Sequence, residues 1–187
     1  MQYIKGVEAY QNTRPTAITF GKFDGLHQGH ELLIEKVVEH QKKDSVDGVV
    51  VAFDMTPLFQ KQNKTLEVLL TNPEKAKLLE GRIDYFIDCP FDENISKIEA
   101  ECFIKDVIVG IFHAKYIVVG TDFHFGYQKR GDYHMLHKFS EKYGYKVEVI
   151  KKKKHEGREI SSTYIKEELN KGNVELVNRL LGYKFLK

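Results

Sequence analysis

The stretch TAITFGKFDGLHQGH, residues 16–30, reads as a strand, a glycine-rich loop and the first turn of a helix. Thr16, Ile18, Thr19 and Phe20 bring the β-branched and aromatic side chains that suit a strand. Gly21, Gly25 and Gly29 permit backbone conformations and close approaches that a Cβ blocks. Leu33, Ile34, Val37 and Val38 then recur at helical spacing, so an amphipathic helix is expected over 30–42. If that helix starts near His27 to Gly29, its free N–H groups and positive dipole end face the loop, which makes an anion site. His30 shares the inward face with Leu33, Ile34 and Val37, and helical side chains lean toward the N-terminus. His27 and His30 can therefore point at one spot above the strand. A metal pair and plain helix capping are the other readings of two histidines three residues apart. An anion clamp also accounts for the glycines and the helix start.

Outward from this unit the chain alternates. Strand-like runs appear at 48–54, 83–88, 115–120 and 145–151, short and rich in Val, Ile and Tyr, the middle ones almost continuously apolar. Such runs suit strands covered on both faces. Helices are expected between them. Thr71 with Glu74, and Ser96 with Glu99, have capping-box spacing, the second opening a long apolar helix to about Phe112. Further helices are expected at 132–143, 162–171 and 174–181, the last capped by Asn173. Strand–helix alternation implies right-handed βαβ units. The expected fold is a doubly wound α/β domain with a five-stranded parallel sheet, Rossmann-like, in the order 3-2-1-4-5. Ligands then bind beyond the carboxyl ends of the first and fourth strands.

Composition narrows the class. The 187 residues, 42% apolar and 30% charged, suit a single globular domain, here read as 1–187 with a core of about 15–183. A net charge of +2 argues against a general nucleic-acid binder. No apolar run approaches the roughly 18 residues of a membrane span, and the first ten residues lack a secretion signal. Cys89 and Cys102 form no CxxC motif and fit a reducing, cytoplasmic setting. The run KKKKH (151–155) reads as a solvated strand end or as a rim that attracts anions.

Two more polar segments leave the sheet at the same edge. VVGTDFHFGYQKRGD (118–132) follows the fourth strand and REISSTYIKEELNKG (158–172) follows the fifth. Ser161, Ser162 and Thr163 are natural N-cap residues. Lys166 falls by this reading in the first helical turn, where a cation opposes the dipole by about 0.3–1 kcal/mol. A phosphate facing Lys166 relieves that conflict.

GKFDGLHQGH (21–30) resembles the GxFDGxHxGH signature of the bacterial bifunctional riboflavin kinase/FMN adenylyltransferases, a branch of the HxGH nucleotidylyltransferases. VGTDFHFG (119–126) resembles their VGxDFxFG, and ISSTYIK (160–166) their ISSTxxR. The likeness runs from about Pro15 to Tyr183 and includes LLTNPEKAKLLE and CPFDENISKIEAECFI. It implies AMP transfer from ATP to FMN, giving FAD and pyrophosphate. By the resemblance, His27 and His30 hold ATP phosphates, and Ser161, Ser162, Thr163 and Lys166 close the far side. Gly21, Phe23, Asp24, Gly25 and Gly29 shape the loop. Gly120, Asp122, Phe123, Phe125 and Gly126 line the nucleotide and flavin sites, and Phe53 and Pro57 border the isoalloxazine. No acidic cluster is apparent, so Mg²⁺ is expected to come on the ATP phosphates. Asp24 could touch it or brace the loop.

Four departures stand out. Lys166 replaces an arginine, keeping the charge and losing the bidentate fork. FDMTP (53–57) replaces FDPHP, Lys129 replaces an arginine, and LLGYKFLK (180–187) replaces the usual linker. No kinase module follows, so the chain is expected to act only as an adenylyltransferase. A different phosphorylated acceptor, or a non-catalytic flavin or nucleotide sensor, are the rival readings.

Overall fold

The computed structural model describes residues 1–185. Its elements run β1 (Gln2–Lys5), β2 (Thr16–Gly21), α1 (Gln28–Asp44), β3 (Asp47–Asp54), α2 (Thr56–Lys61), α3 (Asn72–Leu78) and β4 (Tyr85–Pro90). Then come α4 (Glu93–Ser96), α5 (Ala100–Cys102) running into a π-helix (Phe103–Ile111), β5 (Ala114–Gly120), β6 (His124–Phe125), β7 (Gly131–Asp132) and α6 (Tyr133–Tyr143). The chain continues through β8 (Lys146–Ile150), β9 (Lys154–His155), β10 (Arg158–Glu159), α7 (Ser162–Asn170) and α8 (Val174–Leu181).

The main sheet is parallel, in the order β1-β4-β3-β2-β5-β8. Its last five strands reproduce the expected order, and β1 adds a sixth at the edge. Residues 2–5 carry no apolar pattern. They are held by pairing with β4 and by the Tyr3 hydroxyl, which donates to Asp88. Side chains alternate across the sheet. Ile18, Phe20, Val49 and Val51 pack under the π-helix residues Phe103, Ile104 and Ile108, while Ala17, Val50, Ala52 and Val118 face Leu33, Ile34 and Val37 of α1. Both faces are thus dry, as the continuous apolar runs require. A smaller core of Leu69, Ile160, Ile165, Val177 and Leu180 joins α7 to α8.

Thr71 and Glu74 form the expected capping box on α3. Ser96 and Glu99 do not. Asp92 caps α4 by accepting from the Ile95 N–H at 3.0 Å, Ser96 ends that helix, and Glu99 precedes α5 without capping it. Asn173 sits at the start of α8, but its amide donates to Glu168 instead. No helix among the described residues is long and apolar enough to cross a membrane.

Candidate active site

The loop after β2 is conformationally unusual. Phe23 (φ 49°), Gly25 (φ 81°) and Leu26 (φ 41°) are all left-handed. Two of them are not glycine, a strain that needs outside support. Asp24 supplies part of it. One carboxylate oxygen accepts the Leu69 N–H at 2.7 Å, and the other pairs with Lys166 Nζ at 2.7 Å. Asp24 is thus a loop brace. The Tyr183 hydroxyl adds a second tie, donating to the Gly25 carbonyl at 2.7 Å.

His27 is the N-cap of α1. Its Nδ1 accepts from the N–H groups of Gly29 (3.2 Å) and His30 (3.4 Å). Capping and anion binding are therefore compatible: an accepting Nδ1 in a neutral ring leaves the proton on Nε2 as a free donor. Burial pushes the His27 pKa down to about 4, with Asp24 and Asp122 opposing the shift and Lys152 reinforcing it. The His30 ring stacks on His27 at 3.7 Å and meets Phe23 edge-on at 5.2 Å. His30 as a residue is partly exposed, yet its Nδ1 is sealed from solvent and has no hydrogen-bond partner among the described residues. Burial, then the charges of His27 and Lys75, hold its pKa well below the usual imidazole range.

The third motif reaches this loop. Ser161 caps α7 by accepting the Tyr164 N–H at 3.2 Å, and Ser162 and the exposed Thr163 follow in the first turn. Lys166 is the fifth residue of α7, just past the first turn where the sequence reading placed it, so the dipole conflict eases. Its ammonium donates to the Glu67 carbonyl at 2.6 Å as well as pairing with Asp24. Ile160, just before the serines, has its carbonyl near Gly29. The second motif is joined through Lys152, which pairs with Asp122 (2.9 Å) and Glu159 (3.1 Å). Gly120 begins the turn, its carbonyl accepting from Phe123 N at 3.1 Å.

An aromatic floor lies beside the loop. Phe20 stacks with Phe53 (6.5 Å) and Phe123 (6.2 Å), and Phe123 stacks with Phe125 (5.6 Å). Gly126 lets that hairpin press on Ala100. Pro57 lies in the first turn of α2, where Asp54 accepts from the Thr56 N–H and hydroxyl, and among the described residues no hydrogen bond or ring contact ties it to the histidines. A cavity of about 490 Å³ lined by Gln28, His155, Asn178, Arg179, Gly182 and Tyr183 adjoins the site through Gln28 but includes neither histidine. Among the described residues, no three His, Cys, Asp or Glu side chains gather to hold a metal ion.

Sequence reasoning missed Lys75 and Tyr183, and it named Lys152 only within the KKKKH run. Lys75 had a legible signal. Asn72, Lys75, Ala76 and Leu79 follow i, i+3, i+4, i+7 spacing, and all four are buried. Two polar residues on a core stripe call for a reason.

A family model described as FAD synthetase matches residues 9–164. The bifunctional riboflavin kinase/FMN adenylyltransferase of Buchnera aphidicola from Schizaphis graminum is 31% identical over 99% of this chain and 61% of its own length. The Escherichia coli K12 protein of that name is 29% identical over 99% of this chain and 60% of its own. The chain thus spans about 60% of these curated relatives. A crystal structure described as a macrolide-efflux protein from Streptococcus pneumoniae shares the fold, with TM-score 0.81 and 22% identity over 98% of this chain and 62% of its own. A Francisella tularensis pantoate–β-alanine ligase is a more distant fold relative, with TM-score 0.54 and 14% identity over 100% of this chain and 80% of its own. The match over residues 9–164, on a parallel sheet with three motif loops at one edge, establishes that the chain belongs to the FAD synthetase family.

Proposed function

We propose that the protein transfers AMP from ATP to FMN, forming FAD and releasing pyrophosphate. The observation that carries this reading is the meeting of the His27–His30 pair, the start of α7 and Lys166 around the loop after β2. An FMN phosphate oxygen attacks the α-phosphorus of ATP, and the bond to the pyrophosphate oxygen breaks. FMN arrives with an anionic oxygen, so no protein nucleophile is needed. The protein aligns the two phosphates and stabilises charge growing on the leaving group. His27, neutral at pH 7, offers Nε2–H. Lys166 is neutralised by Asp24, so a phosphate gains its full charge by displacing or sharing that carboxylate. Ser162 and Thr163 close the far side. Phe53 and Phe123, joined through Phe20, offer apolar surface to an isoalloxazine.

Mg²⁺ is proposed to enter on the ATP phosphates, because Asp24, the carboxylate within the loop that leads to the histidines, is already engaged twice. Residues 1–187 are proposed to act as one adenylyltransferase unit, working in the cytoplasm. The test is incubation with FMN, ATP and Mg²⁺, followed by chromatographic detection of FAD and pyrophosphate. FAD is the expected product. Binding of both substrates without pyrophosphate release would replace transfer with sensing.

A further inference from the structure

Lys75 is a buried cation with no direct counter-ion among the described residues. It is 4% exposed. Its Nζ donates to the Lys22 carbonyl and to Asn72 Oδ1, each at 2.8 Å. An ammonium carries three N–H groups, and among the described residues the third finds no acceptor. Asp24, Asp54 and Asp88 lie near enough to favour its charge, but burial outweighs them and lowers its pKa. Each of those carboxylates is committed elsewhere: Asp24 to Lys166 and Leu69, Asp54 to Thr56, Asp88 to Tyr3 and Asn72. A lone buried charge is costly, and a brace for the Lys22 carbonyl could be neutral.

A second orphan lies close by. His30 Nδ1 is buried without a partner, and the charge on Lys75 is one of the influences on that ring. The two groups flank the loop after β2. Lys75 approaches it from the Phe53 side, since Asn72, its hydrogen-bond partner, also donates to the carbonyl of Ala52 at 3.3 Å. Lys166 and the serines approach from α7.

We infer that Lys75 is a further phosphate-binding residue of the site and that the group it receives is the phosphate of FMN. Its third N–H and its charge hold the attacking phosphate, while His27 and Lys166 serve the triphosphate. Lys22, whose carbonyl Lys75 grips, couples this contact to the loop. The inference rests on the adenylyl-transfer reading and specifies its acceptor subsite.

The experiment is a fluorescence titration of FMN and of riboflavin, which lacks the phosphate, with the wild-type chain and the Lys75→Gln, Lys75→Met and Lys75→Arg variants. Glutamine retains a donor for the Lys22 carbonyl and removes the charge. In the Gln and Met variants the Kd for FMN should rise roughly 10- to 100-fold, with riboflavin changing less than about twofold. Arginine should restore part of the difference. Equal losses for both flavins would reduce Lys75 to a structural brace and overturn the proposal. No change for either flavin, or a raised KM for ATP alone, would also overturn it. Thermal melts check folding, and Lys75→Gln carries the test if Lys75→Met does not fold. FAD formation by the wild type separates the two readings. If it makes none, yet FMN binding falls in Lys75→Gln while riboflavin binding does not, the phosphate contact stands and the transfer reaction falls.

Discussion

Acid should loosen this protein through His27 in particular. Burial takes its pKa from 6.5 in the unfolded chain to about 4 in the fold. Between those values the unfolded chain binds more protons, so stability falls as pH drops from about 6.5 toward 4. The contribution is complete above the unfolded value and lost by the folded one. At about 1.4 kcal/mol per pKa unit, the loss between pH 7 and pH 4 is about 3 kcal/mol. Carboxylates titrate in the same range, so a matched variant is needed. His27→Asn fits, because asparagine caps helices well and does not titrate. Urea unfolding of both proteins at pH 7, 6, 5 and 4 isolates the imidazole. The wild type should lose about 3 kcal/mol more than the variant over that range. Parallel pH curves would refute the reasoning, and with it the neutral ring that offers Nε2–H to a phosphate.

Two further outcomes follow from the same geometry. His30→Ala should keep the fold, read by circular dichroism, and lower kcat for FAD formation roughly 10²- to 10³-fold, the range for losing one charge-stabilising donor; near-normal turnover would remove it from the site. Gly126→Ala should cost roughly 2–4 kcal/mol in urea unfolding, summing left-handed strain and overpacking, because its Cβ would lie 2.6 Å from Ala100 Cα at φ 74°; Gly144→Ala, at φ 73° with nothing within 4 Å, should show only the strain.

The central strands were legible because burial on both faces leaves little choice of side chain. TAITFG at 16–21 coincides with β2, and the apolar run at 115–120 falls within β5. β1 was not legible: an edge strand of four mostly exposed residues has no pattern to impose. The site was legible as far as local motifs reach. His27, His30 and Ser161 sit at helix starts, where sequence fixes geometry. Lys166 was placed up to two residues too early in the helix, because the cap that sets the register is Ser161, with two further candidate hydroxyls after it. Lys75 escaped for a different reason. A lysine in a charged helix looks solvated, although its spacing with Asn72, Ala76 and Leu79 puts it on the stripe that α3 packs against the sheet.

The bond from Tyr183 to the carbonyl of Gly25 joins residues 158 positions apart. During synthesis the loop after β2 leaves the ribosome early, and the hydroxyl that steadies it follows 158 residues later. A nascent chain can pair β2, β3 and β5 long before that knot is tied. The loop should therefore reach its braced form only after those strands have paired, and should lose it when the segment around Tyr183 detaches.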